Sequence, residues 1–127
     1  MPSFVAGAEQ RGLRFDSVGF HHYGSADPHD FLGLLTRVHD MYRRPIWVTE
    51  FGCVDWSAHG DRKNRYSERD AVRFIETVCP FMERTSWVRG YAWYPWGKAG
   101  GGGPLSASAL FQPNGSLTDA GHAYAAA

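Results

Sequence analysis

The chain has 127 residues, a formal net charge of zero and 13 basic against 13 acidic side chains. That length suits one domain, residues 1–127, and is about half of what a (β/α)8 barrel of roughly 250 residues needs. Without a block of like charge or an apolar run near ~20 residues, nothing points to nucleic acid or a membrane as partner. Met1 to Gln10 lacks the basic start and apolar stretch of a secretion signal.

Phe15 to Tyr23 is a short run with Val and aromatics, read as a buried strand near residues 15–22 and broken by Gly24 and Ser25. Asp27 then reads as an N-cap, Pro28 as a first helical residue, and Asp30 as a favourable charge at the positive end of the dipole. Phe31, Leu34, Leu35, Val38 and Tyr42 recur at helical spacing. Arg43 and Arg44 suit that helix's end, and Pro45 forbids continuation.

A second strand is expected over 45–51, carrying Ile46, Trp47, Val48, Thr49, Glu50 and Phe51. Gly52 ends it, and a charged loop follows from Val54 to Tyr66. Ser67 and Asp70 form a short capping box. The stripe behind them is Ala71, Phe74, Ile75, Val78, Cys79 and Met82, with Pro80 expected to kink the helix or end its regular part. The third strand is expected over 87–94, then a glycine-rich loop from Gly97 to Pro104. A last helix is expected from about Leu117 to Ala126. Strands alternating with helices predict an α/β fold of three parallel βα units, with all strand C-termini on one edge. Ligands bind at that edge in this class of fold.

The cargo of that edge is unusual. His21, His22 and Tyr23 end the first strand, Glu50 the second, and Trp93, Tyr94 and Trp96 follow the third. Strand alternation allows only one of His21 and His22 to face a common site. Glu50 near the end of a buried strand needs hydrogen-bond partners. A metal site of His21, Glu50 and His59 is the weaker reading, since no ligand spacing supports it, and no metal or other cofactor is expected. Gly97, Lys98 and Ala99 do not continue as a phosphate-binding loop. His29, His39 and His122 read as surface residues and Trp47 as core or interlayer packing. Cys79 reads as a buried thiol, whereas Cys53 is open to either reading.

The string PIWVTEFGC, from Pro45 to Cys53, is similar to the seventh-strand motif of clan-A glycosidases. It most resembles the endo-β-1,3-glucanases of glycoside hydrolase family 128, the Asl1-like glycosyl hydrolase catalytic core. FDSVGFHHYG and VRGYAWYPWG resemble the sixth and eighth strands in the right order, and LFQPNGSLT the C-terminal finish. The resemblance covers the chain from about Phe15. It implies a partial TIM barrel, the C-terminal portion of a retaining glycoside hydrolase acting on a β-glucan, with Glu50 as nucleophile. It further implies that Tyr23 orients that carboxylate, that His21 sits beside it, and that Trp93 floors the sugar site. Trp93, Tyr94, Trp96 and His22 are then the substrate-binding set.

The sequence departs from the family pattern in three ways. His22 stands where Trp is usual, and Gly90 where Arg is usual. No Asn-Glu pair occurs, so the family's general acid/base is absent from this chain. Asp55 and Asp61 are substitutes on paper but read as solvated loop carboxylates. A polysaccharide or oligosaccharide is the expected partner, and two open sheet edges allow self-association. The alternative to an enzyme is a non-catalytic carbohydrate-binding or self-associating half-barrel remnant. Full-length relatives are expected to be secreted.

Overall fold

The computed structural model describes residues 2–97, 99 and 102–127. Of the glycine-rich loop, Lys98, Gly100 and Gly101 lie outside the described residues. The elements are α1 (Pro2–Gln10), β1 (Val18–Gly24), α2 (Pro28–Tyr42), β2 (Ile46–Cys53), α3 (Glu68–Arg84), β3 (Val88–Trp93) and α4 (Asp119–Ala125), with one 3-10 turn at Ser106–Ser108. The expected alternation holds, while α1 and the 3-10 turn are additions.

Helix starts follow their caps. The Asp27 carboxylate accepts from the His29 amide at 2.9 Å, which occupies one of the free N–H groups at the start of α2. Arg43 closes that helix in the left-handed conformation. Ser67 and Asp70 cap each other reciprocally, the Asp70 carboxylate accepting from the Ser67 amide at 2.9 Å. Pro80 lies inside α3, which runs on to Arg84. The last helix starts later than expected, at Asp119. Thr118 is its N-cap: its hydroxyl donates to the Ala109 carbonyl at 2.7 Å and accepts from the Gly121 amide at 2.9 Å.

The three strands form one parallel sheet in the order β1-β2-β3. One face is covered by helices. Val18, Phe20, Ile46, Val48, Phe51, Cys53 and Trp93 meet Phe31 and Leu35 of α2, Ala120 of α4, and the whole predicted stripe of α3. Phe31 stacks on Phe51 at 5.5 Å between ring centroids, and Phe51 meets the Trp93 indole edge-on at 5.0 Å. Burying each such side chain contributes about 1.5–3 kcal/mol. Both cysteines are buried and free, and burial pushes each thiol up to about 12. No described helix is long and apolar enough to cross a membrane.

The other face is open. Gly19, His21, Trp47, Thr49 and Ala92 are exposed on it. Trp47, expected as core or interlayer packing, is instead 47% exposed on this face. Its ring lies over Gly90, where an added Cβ would come within 2.7 Å of the indole. Gly90 thus leaves room for this tryptophan. His39 is also corrected: its ring stacks on Trp87 at 4.2 Å and 14° rather than standing free in solvent.

Candidate active site

Strict alternation along β2 would place Glu50 on the same face as Val48, in the core. The register shifts between Val48 and Phe51, so that Thr49 and Glu50 both fall between two core-facing residues. A matching shift lies between Phe20 and His21, and pairs His21 with Glu50 across the sheet. Such bulges re-aim side chains beside functional sites. Here they turn Glu50 outward at the C-terminal end of the middle strand.

There Glu50 meets two groups from β1. The Tyr23 hydroxyl donates a short hydrogen bond to Glu50 Oε2. His21 Nδ1 lies 3.5 Å from the same oxygen. The Tyr23 phenol is pushed up from its ordinary value, first by desolvation and then by its bond to Glu50, so it remains a donor at neutral pH. Glu50 is partly accessible, with its side chain 40% exposed, as a reacting group must be. Tyr94, leaving β3, sets its ring edge-on to Tyr23 at 5.2 Å and 89°. Glu50, Tyr23, His21 and Tyr94 therefore share one edge of the open face.

Two expected members are not with them. Trp93 is buried on the helix side, where it packs on Phe51 and Phe74 and donates from Nε1 to the Ser108 carbonyl at 2.8 Å. Tyr91 and Trp93 share a face by alternation, and that face is the core, so Trp93 does not stand beside Glu50 on the open face. His22 is likewise on the helix side, packed against Phe31 at 5.2 Å and Phe20 at 6.3 Å. Its Nε2 is buried without a hydrogen-bond partner, and desolvation lowers its pKa. Trp96 is 78% exposed after Pro95.

The loop after β2 also differs from expectation. Asp55 is not a solvated carboxylate: it is 1% exposed. It accepts from the Ser57 amide and hydroxyl at 3.1 and 2.7 Å and from the Arg65 amide and guanidinium at 3.0 and 3.1 Å. These donors hold its carboxyl below the usual carboxylate range, the Ser57 hydroxyl foremost. A group held ionised so firmly is unsuited to protonating a leaving group. Asp61 is exposed. The same loop carries Trp56, which sequence reasoning passed over inside a charged stretch. Its indole Nε1 donates to the Tyr23 carbonyl at 3.1 Å.

A depression of about 500 Å³ lies elsewhere, between the same loop and the 3-10 turn, lined by residues including Lys63, Tyr66, Ser106 and Thr118. Among the described residues no three His, Cys, Asp or Glu side chains gather as a metal-ligand set.

A carboxylate at the C-terminal end of a parallel strand, held from the neighbouring strand, invites comparison with known barrels. The sequence profile of a family described as glycosyl hydrolase catalytic core matches residues 1–124. Alkali-sensitive linkage protein 1 of Schizosaccharomyces pombe is 27% identical over 113 residues, which is 87% of this chain and 20% of that protein. A family 128 (subgroup I) endo-β-1,3-glucanase of Amycolatopsis mediterranei, solved as a variant with laminarihexaose, matches with a TM-score of 0.79 at 27% identity. The match takes in 98% of this chain and 50% of that one. A family 128 (subgroup VII) oligosaccharide-binding protein of Cryptococcus neoformans matches with a TM-score of 0.69 at 26% identity, over 95% of this chain and 44% of that chain. The chain thus spans about half the length of these solved structures, and its three parallel βα units are those of a partial TIM barrel. With the profile running over nearly every residue and the strands in the barrel's own arrangement, the chain belongs to the glycosyl hydrolase catalytic core family.

Proposed function

We propose that this chain is the nucleophile-bearing half of a retaining β-1,3-glucan hydrolase. Glu50 attacks the anomeric carbon, Tyr23 holds the attacking carboxylate by its hydroxyl, and His21 flanks the same oxygen. The observation that carries this reading is the turned-out Glu50, bonded by Tyr23 and approached by His21 to 3.5 Å at the ligand-binding edge of a parallel sheet. Tyr94 serves as an aromatic wall of the sugar site, and the exposed Trp96 two residues on adds a second ring.

Retention needs a second carboxyl group roughly 5 Å from the first, to protonate the departing oxygen. Asp55 cannot fill that role, for it is fully occupied by Ser57 and Arg65. The segment by itself is therefore expected to cleave laminarin slowly or not at all, because a positioned acid contributes ~10²–10⁴ in rate. A dinitrophenyl leaving group departs without protonation and bypasses the deficit. The test compares laminarin with dinitrophenyl β-laminaribioside, using the wild-type chain and Glu50→Gln. Release of dinitrophenol by the wild type but not the variant, with little reducing sugar from laminarin, supports the reading. Release unaffected by Glu50→Gln contradicts it.

A second reading is a carbohydrate-binding half-barrel without catalysis, favoured by the similarity to the oligosaccharide-binding protein of Cryptococcus neoformans. It predicts glucan binding with no dinitrophenol release from either protein. Among the described residues the outer edges of β1 and β3 carry no further strand, so either reading allows self-association, which sedimentation over a concentration series measures.

A further inference from the structure

Trp56 is explained neither by the core nor by the reaction as described so far. Its indole is 61% exposed, yet it is held. Nε1 is occupied by the Tyr23 carbonyl, and the indole meets the Tyr23 ring at 6.4 Å and 74°. The loop on either side is fixed by hydrogen bonds as well. Buried Asp55 gathers Ser57 and Arg65, while its own amide donates to the Pro104 carbonyl at 3.0 Å. Asn64 Nδ2 reaches the Gly103 and Pro104 carbonyls at 3.2 and 3.0 Å. A mobile surface indole could shelter against the protein. This one is kept in solvent with its polar atom satisfied, so apolar ring area is what it offers. It stands against the residue that holds Glu50.

We infer that Trp56 is a sugar-stacking platform that seats a glucose ring adjacent to the one attacked at Glu50, and that Asp55 is its positioning residue. This rests on the β-glucan reading and goes beyond it by assigning a subsite to the loop after β2. The chemistry fits a β-linked pyranose. Its hydroxyls are equatorial, so its axial C–H bonds form an apolar face matched to an indole. Covering that area removes it from water, and a ring already held in place has little rotamer freedom left to lose. The hydroxyls remain free to bond outward.

The test is calorimetric titration of the full chain with laminaripentaose. Trp56→Ala is expected to weaken binding about tenfold, the loss that follows from uncovering one such ring. Trp56→Phe keeps a smaller ring and should lose about threefold. Phe111→Ala, which truncates an exposed ring at a distant turn, should bind as the wild type does. Asp55→Asn should weaken binding in the wild-type background and cause no further loss in the Trp56→Ala background, because its effect passes through the indole. A purely structural role for Asp55 would weaken both. Binding by Trp56→Ala within twofold of wild type overturns the platform and leaves the nucleophile reading standing. A wild-type chain that binds no laminaripentaose overturns both.

Discussion

The two faces of this sheet are made from the same three strands and do different work. On the covered face Val18, Phe20, Ile46, Val48, Phe51 and Trp93 close against the helices. On the open face the same strands present His21, Trp47, Thr49, Glu50 and Ala92. The first set is apolar, as packing demands. The second includes the groups that can move a proton or attack carbon. A one-residue step in register, at Thr49 and Glu50, separates the roles. The comparison teaches that stability and chemistry are nearly independent here, and substitutions on the two faces should show it.

The largest effect is expected on the covered face. Phe74→Ala removes a fully buried ring that packs on Phe31 and Trp93. It should lower unfolding free energy by about 3–5 kcal/mol, whereas Glu50→Gln should change it by no more than about 0.5 kcal/mol. Urea unfolding of the two variants checks this. Equal losses would mean that the faces are not separable.

Tyr23→Phe comes next and acts on the open face alone. It deletes the hydroxyl that orients the attacking carboxylate, while the part-exposed Glu50 can bond water in its place. Dinitrophenol release should fall by about 10–100-fold through lost orientation, while the urea midpoint barely moves. Preserved rate in this variant would show that Glu50 needs no holding from β1.

A smaller effect concerns the loop beside the site. The folded-state pKa of Asp55 is depressed, so its contribution to stability is present above its unfolded value, about 3.9, and is lost as pH falls below that. Asp55→Asn should flatten the wild type's loss of stability below about pH 4. Unchanged acid unfolding would show that the Ser57 and Arg65 contacts contribute nothing in solution.

The smallest effect belongs to His22 on the covered face. Its folded pKa is lowered by burial, so below the unfolded value of about 6.5 the unfolded chain binds the proton more readily. Stability should therefore decline as pH drops below about 6.5, until the folded pKa is reached. Nε2 has no partner to lose, and Phe20 and Phe31 already line the site. His22→Phe should remove that slope. A slope that persists would place its origin in another group.

Much of the covered face was legible in the sequence because its signals are local. Asp27 with Pro28 and Ser67 with Asp70 marked two helix starts, and the stripe from Ala71 to Met82 is the buried face of α3. The open face was legible less evenly. The resemblance pointed to Glu50, Tyr23 and His21, but the side each residue takes depends on register. Trp93 was assigned to the site, although alternation with Tyr91 puts it in the core. Thr49 and Glu50 escape alternation only through a bulge that propensity does not announce. Asp55 and Trp56 lay in a charged loop whose order comes from contacts with residues 103–106, some forty positions along the chain. Of the two outcomes expected at Pro80, an end is ruled out, since α3 continues to Arg84 with its apolar stripe buried on both sides of it.

Glu50 is the proposed owner of the attacking atom, and covalent capture tests that directly. A laminaribiosyl fluoride bearing a second fluorine beside the anomeric carbon has a leaving group that needs no acid and an intermediate that hydrolyses slowly. Incubated with the chain, it should add one glycosyl unit, and peptide mapping should place that unit on Glu50, with no adduct in Glu50→Gln and slower labelling in Tyr23→Phe. An adduct on another carboxylate, or equal labelling of Glu50→Gln, would contradict the assignment of the nucleophile.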